Sequence, residues 1–242
     1  MSFFSHLEEL RKRILWSVLA IGIGFIPTFV YAGWIIKFIS RPLSRLKTEL
    51  VFLSPTEAFW VNMKVGMIAG LGLALPVVLY QVWAFVSPGL HRHERRYALP
   101  FIIVGTLLFA IGVTFALLVI IPFAINFLVG FGESQGIRAM LSVASYVDFV
   151  LKFSLAFGLV FELPLAITLA SWMGLVTPKF LAKNRKYAVL INAIAAAVLT
   201  PTPDAFNMLL MLGPLCLLYE LGIISARIFG RRPKAPAEES TP

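Results

Sequence analysis

The sequence predicts an all-α membrane protein of six spanning helices, and three observations carry that prediction. Mean hydropathy is +0.88, with 59% hydrophobic and only 14% charged residues among 242, far more apolar than a water-soluble domain of this size needs. Apolar runs of about 20 residues recur along the chain, long enough for helices to cross a hydrocarbon core. The short alternating segments of a membrane β-barrel are absent. The single cysteine, Cys216, lies inside an apolar run and excludes both an internal disulfide and a thiolate metal cluster within one chain.

Residues 2–13 read as a short amphipathic helix ahead of the first span. Ser5 and Glu8 have capping-box spacing, and Leu7, Leu10 and Ile14 share a face. Arg11-Lys12-Arg13 before an apolar run is also how a signal peptide opens. This run is too long for one and lacks a convincing cleavage site, so 14–36 is expected to be a retained first span, with Pro27 as its kink. Residues 37–64 are amphipathic and irregular until Ser54-Pro55-Thr56-Glu57, where cap, proline and capping glutamate start a helix. Ala58, Phe59, Trp60 and Met63 then lie against the membrane face, and the second span covers 65–85 with Pro76 inside.

Trp83 and Phe85 stand where that apolar run stops, as aromatic residues do at a membrane boundary. Ser87-Pro88 has the pattern of a cap followed by proline, so the next helix is expected to begin outside the bilayer and carry His91 to Arg96 in its first turns. The third span is 97–128, containing Pro100 and Pro122, followed by a loop over 130–144 and a second capping spacing at Ser145 and Asp148. The fourth span is 147–172, with Lys152 near one end and Glu162 near its middle. Thr177-Pro178 opens a basic connector. The fifth span, 187–199, has only 13 residues. The turn Thr200-Pro201-Thr202-Pro203-Asp204 leads to a sixth span, 206–227, which contains Pro214 and Glu220. Residues 1–228 thus form one membrane domain, and 229–242, basic and then proline-rich, a disordered cytoplasmic tail.

Counting lysine and arginine on alternate sides gives fourteen (at 11–13, 92–96, 179–186 and 227–234) against seven (Lys37, Arg41, Arg45, Lys47, Lys64, Arg138 and Lys152). The positive-inside rule therefore puts both termini in the cytoplasm. The net charge of +9 reads mainly as this topology signal and as attraction to anionic headgroups, with membrane lipids as partners and no nucleic acid.

Three acids stand out chemically. An acidic group at a helix centre costs roughly 2.5–3.5 kcal/mol on insertion scales, so Glu162 is expected to face a cavity or a partner. Its plain structural reading is a protonated carboxyl hydrogen-bonded to a neighbour such as Asn192 or Asn126, holding the bundle together. Glu9 and Glu94 lie on the basic side among clustered cations. The plain reading of Glu9 is an i,i+4 pair with Arg13. Glu94 has His91, Leu90, Tyr97 and Ala98 at helical spacing, with no lysine or arginine to neutralise it, and its plain reading is charge balance in the loop. The functional reading of both is a site for a cationic ligand, recognised locally because the surrounding positive field repels cations at a distance. No metal-ligand spacing, nucleophile elbow, P-loop or dinucleotide fingerprint is present, so neither an enzyme nor a cofactor is expected.

Six motifs then stand in a fixed order between the spans: His6-Leu-Glu-Glu-Leu-Arg-Lys-Arg13, Ser54-Pro-Thr-Glu57, Leu75-Pro-Val-Val-Leu-Tyr-Gln-Val-Trp-Ala-Phe85, His93-Glu-Arg-Arg96, Phe161-Glu-Leu-Pro164 and Leu199-Thr-Pro-Thr-Pro-Asp204. In these the chain resembles the TatC family, the multi-span receptor subunit of the twin-arginine protein translocase, over essentially its whole length. The resemblance implies a concave, glove-like bundle. It implies that the cytoplasmic face binds arginine-pair signal peptides through Glu9 and Glu94, with Arg11, Phe85 and Arg95 close by. Glu162 would be the polar residue inside the concave face, and Pro42 and Asp204 outer-face positions. Contacts to single-span TatA- and TatB-type subunits would fall near the start of the sixth span, where some relatives carry a polar residue and this chain has Met208. Thr200 and Asn207 are the polar candidates there. Other copies of the same chain are further implied partners, and the proton gradient the energy source.

The reading is therefore a receptor and core subunit for export of folded proteins across a prokaryotic inner membrane. A proton-coupled small-solute carrier using Glu162 is the alternative. It calls for paired broken helices from repeated halves, and no internal repeat is found.

Overall fold

The computed structural model describes residues 3–41, 50–89, 95–136 and 140–229. Among them the chain is almost wholly helical. Helix α1 (Phe3–Val30) is followed by α2 (Ala32–Ile39), a two-residue strand β1 (Leu50–Val51) and α3 (Glu57–Val86). Next come α4 (Ala98–Phe115), a π-helical turn at Ala116–Ile120, α5 (Ile121–Ser134) and β2 (Leu141–Ser142). The chain continues with α6 (Val143–Phe161), α7 (Leu163–Trp172), α8 (Pro178–Lys183), α9 (Arg185–Leu199) and α10 (Ala205–Phe229). Five stretches are long and apolar enough to cross a membrane: His6–Val30, Glu57–Val86, Ala98–Ser134, Val143–Trp172 and Ala205–Phe229. The short α9, at 15 residues, is the sixth helix of the bundle.

Local chemistry explains the breaks. Pro122 cannot donate to the carbonyl one turn back. The helix widens there, with the Ile121 N–H donating to Ala116, and then resumes as α5. Pro164 acts in the same way after Glu162, where α6 stops and α7 starts. The fourth apolar stretch is therefore two helices, and Glu162 is the joint, not a residue within a continuous helix. Pro27 leaves α1 intact up to Val30, and the break comes at Tyr31, a turn later.

Three other expectations change at element starts. Helix α1 runs unbroken from Phe3, so 2–13 is not a separate amphipathic helix, and Ser5 and Glu8 both lie within it. At the head of α6 the cap is Ser142, whose Oγ accepts from the Ser145 N–H at 3.1 Å, in place of Ser145 itself. Ser87-Pro88 forms a 3-10 turn, Ser87–Gly89, and the next α-helix among the described residues begins at Ala98, with 90–94 outside them. Only the glutamate of Ser54-Pro-Thr-Glu57 works as expected. Its Oε2 accepts from the N–H groups of Leu53 (2.7 Å) and Ser54 (3.3 Å), and its Oε1 reaches across the bundle to the N–H of Ala144 (2.6 Å).

Helix α1 packs along α3, α4 along α6, and α10 against both α7 and α9. Small residues set the first crossing. A Cβ on Gly70 would lie 2.8 Å from the Phe25 nitrogen, and one on Gly24 2.7 Å from the Gly70 carbonyl oxygen. Thr28 Oγ1 sits between the helices and donates to Gly66 O at 2.7 Å. Gly66 and Gly70 form the small-xxx-small spacing that lets membrane helices approach closely. The larger core gathers α3, α5, α6 and α10 around the fully buried Phe153, Phe157 and Met211. A second cluster joins Leu79, Trp83, Phe101 and Leu169. Trp83, expected at the membrane boundary, is only 3% exposed and packs on Phe101 and Trp172.

Candidate functional site

Two helices build the basic end from residues far apart in sequence. Glu9 and Arg13 lie four apart on α1 and so share a face. Arg13 Nη2 donates to Glu9 Oε1 at 3.2 Å, and Nη1 donates across to Gln81 Oε1 on α3, also at 3.2 Å. One turn further out, the His6 ring stacks on Phe85 with centroids 4.4 Å apart. Two crosslinks thus fix the first turns of α1 against the last turns of α3. Beside them a cleft of about 720 Å³, lined in part by Glu9, Arg11, Lys12, Arg13 and Trp16, opens to solvent.

Of the expected site residues, the structure brings Glu9 and Phe85 together. Arg11, two positions from Glu9, leaves α1 in a different direction and is exposed. Arg95 opens a 3-10 turn, Arg95–Tyr97, that leads into α4. Glu94 and Pro42 lie outside the described residues, as does the tail from 230 onward. Sequence reasoning passed over Gln81 and His6. The signal for Gln81 was there, since it is a buried amide (8% exposed) in an otherwise apolar stretch.

Glu162 lies at the α6–α7 joint. A Cβ on Gly105 of α4 would come within 3.2 Å of its Oε2, so a residue without a side chain makes room for the carboxyl. Its Oε1 is buried and has no hydrogen-bond partner. The Asn192 amide donates instead to Cys216 Sγ at 3.8 Å, and Asn126 is exposed. Among the described residues neither asparagine bonds Glu162.

At the opposite end, Asp204 caps α10 by accepting from the Asn207 N–H at 2.7 Å. The fully buried Asn207 donates from Nδ2 to Thr202 Oγ1 and Asp204 Oδ2, each at 2.9 Å, while its Oδ1 is buried without a partner. Thr200, also buried, donates to Ala196 O at 2.6 Å. Thr200, Asp204 and Asn207 therefore form one polar turn, with Met208 half-buried beside it. Burial pushes the Asp204 carboxyl up, but the hydrogen bonds from Asn207 and Thr202 outweigh it and hold the group below the ordinary aspartate value.

The family model for the Sec-independent protein translocase protein (TatC) matches residues 5–214. The chain belongs to the TatC family. It is 42% identical over 241 residues to the Sec-independent protein translocase protein TatC of Desulforapulum autotrophicum, covering 98% of this chain and 88% of that one. It is 37% identical to the Aquifex aeolicus protein of the same name, with 97% and 98% covered. A crystal structure of the twin-arginine translocase receptor TatC superposes with a TM-score of 0.82 at 37% identity, covering 93% of this chain and all of the other. The six-helix, glove-like membrane fold is thus that of the family. The chain is a membrane-embedded core subunit of a protein translocase and not an enzyme. Nothing in these likenesses supports the solute-carrier alternative.

Proposed function

We propose that the basic end of this chain is the receptor for arginine-pair signal peptides of folded export precursors. It faces the cytoplasm, with both termini, at a prokaryotic inner membrane. Glu9 and Glu94 take the two guanidinium groups, with Arg11, Phe85 and Arg95 around them. The observation that carries this reading is Glu9 held beside an open cleft by the two α1–α3 crosslinks, Arg13–Gln81 and His6–Phe85. A carboxylate in that position accepts two parallel N–H···O bonds from a guanidinium, a geometry that lysine cannot reproduce. Two consecutive arginines project in different directions, which suits acids on separate elements.

Export is driven by the proton gradient, with Glu162 serving a later step inside the concave face. The polar turn of Thr200, Asp204 and Asn207, with the unpartnered Asn207 Oδ1, suits contact with a single-span TatA- or TatB-type subunit, and Pro42 belongs to the same outer side. Further copies of the chain complete the assembly. The deciding experiment is crosslinking of the membrane-embedded chain to an arginine-pair signal peptide. Capture should be lost when the pair becomes lysine and in Glu9→Ala or Glu94→Ala. Capture that survives all three changes would refute the reading.

A further inference from the structure

Glu9 already holds an arginine. The Arg13 side chain is only 28% exposed, and its fork is divided between two acceptors on two helices, one charged and one neutral. Its contact to Glu9 is a single bond of 3.2 Å, and its Nε is buried without a partner among the described residues. The same chain contains a fully made pair for comparison. Arg185 meets Glu220 with both fork nitrogens, at 2.6 and 2.8 Å. Against that standard the Glu9–Arg13 contact is half-made. The second oxygen of Glu9 accepts no hydrogen bond among the described residues, and Glu9 lines the open cleft.

We propose that Arg13 is an internal stand-in for the ligand, occupying Glu9 in the resting receptor and setting the affinity an incoming cation must exceed. The inference rests on the arginine-pair reading above. Binding would be an exchange. Glu9 leaves one guanidinium for another, so the long-range electrostatic gain largely cancels, and hydrogen-bond geometry decides the outcome. An incoming ammonium offers a point contact no better than the one it displaces. An incoming guanidinium offers two parallel bonds in place of one. Gln81 makes the exchange workable: it keeps Arg13 Nη1 bonded, so the displaced side chain is not stranded half-buried with every donor unpaired. A resident competitor lowers the affinity of every cation by the same factor. It therefore leaves the arginine-to-lysine ratio unchanged but pushes the weaker lysine ligand below useful binding.

The test is equilibrium binding of a synthetic arginine-pair signal peptide and its lysine-pair counterpart to the full chain in lipid nanodiscs. Arg13→Gln should tighten both by a similar factor, roughly two- to fivefold for a half-exposed ion pair. Gln81→Leu should weaken both, because Arg13 then leans wholly on Glu9. Lys12→Gln removes the same charge from the neighbouring surface without touching Glu9, and should change affinity less than Arg13→Gln does. Should Arg13→Gln fold poorly, Arg13→Met serves in its place, since it keeps an unbranched stem against α3, removes the cation from Glu9 and should also tighten binding. Unchanged or weaker binding in the Arg13 variants overturns the proposal, as does equal tightening by Lys12→Gln. Failure of the parent chain to bind in a Glu9-dependent way would instead refute the receptor reading.

Discussion

The crossing of α1 and α3 gives the sharpest mechanical prediction, because the Arg13–Gln81 and His6–Phe85 contacts beside Glu9 depend on it. In Gly70→Ala the new methyl would sit 2.8 Å from the Phe25 nitrogen and 2.9 Å from its Cα. These are backbone atoms that no rotamer change can move. Ordinary contact begins near 3.4 Å, so the helices must separate by about 0.6 Å. Overpacking of this kind costs about 1–3 kcal/mol. The separation also weakens the Thr28–Gly66 bond, and interhelical hydrogen bonds in membranes average about 0.6 kcal/mol. Gly22→Ala is the matched control: its Cβ meets nothing within 4 Å, and alanine improves helix propensity by up to about 1 kcal/mol. Thermal unfolding in detergent should therefore separate the two variants by about 2–4 kcal/mol, with Gly70→Ala the weaker. Gly70→Ala should also loosen the His6–Phe85 stack, read as slower disulfide formation between cysteines placed at those two positions in a Cys216→Ala background. If Gly70→Ala melts together with Gly22→Ala, the close-approach argument is wrong.

Further outcomes follow from other sites. Glu57→Gln turns one acceptor into a donor facing backbone N–H groups. It should lower the melting temperature and speed hydrogen exchange at Leu53 and Ala144, whereas Glu57→Asp should fall between it and the parent. For Glu162, loss of export with signal-peptide binding retained in both Glu162→Gln and Glu162→Ala would indicate a charge-dependent later step; loss of binding in Glu162→Gln would contradict its placement. Because Asp204 titrates below the ordinary aspartate value of 3.8, its stabilisation of the α10 start is present at neutral pH and is lost only as pH falls through that depressed value. Amide exchange at Asn207, compared with Asp204→Ala at the same pH, should show protection that is constant from pH 8 to about 5. Helix α9 is 15 residues long, about 22 Å against a core of about 30 Å, so four leucines inserted after Ala195 should leave the chain folded but reduce export. Undiminished export would make the short length incidental.

What could be read in advance was whatever one residue or one run determines by itself. Apolar runs predicted where the helices fall, and Ser54-Pro-Thr-Glu57 predicted the head of α3, because propensity, capping and hydropathy act within a few residues. Proline positions were legible, but their effects were not. Pro76 leaves α3 continuous, Pro122 produces a π-helical turn, and Pro164 ends α6, according to whether packing restores the missing bond. Pairings between helices were the main omission. Glu9 and Phe85 were chosen separately, and their junction through Arg13, Gln81 and His6 depends on the α1–α3 crossing. That crossing is set by Gly24, Gly66 and Gly70, residues whose importance is the absence of a side chain. Trp83 shows a related limit of composition: it gives the depth of an aromatic residue in the bilayer but not the direction in which it points, here inward onto Phe101 and Trp172.

The two ends of the bundle are held in different ways, and the difference bears on recognition. At the end away from the termini, bonds join elements distant in sequence. Tyr146 donates to the Ile39 carbonyl, Lys64 meets Asp148 at 2.8 Å, Glu57 reaches Ala144, and β1 pairs in parallel with β2. At the basic end the described polar contacts fall into two separate groups. One ties α1 to α3 through Arg13–Gln81. The other ties α7 to α10 and the connector through Trp172–Phe229, Arg185–Glu220 and Tyr219–Leu181. Between the groups the described contacts are apolar, with Trp83 and Tyr97 against Trp172 and the aliphatic Leu79 and Leu169 in the same cluster, and such contacts are less directional than hydrogen bonds. Among the described residues, directional bonds across the bundle thus hold the far end, while at the near end two polar groups are joined by apolar packing. The half-made Glu9–Arg13 pair lies at this end, so the exchange proposed for it breaks none of the bonds that close the far end.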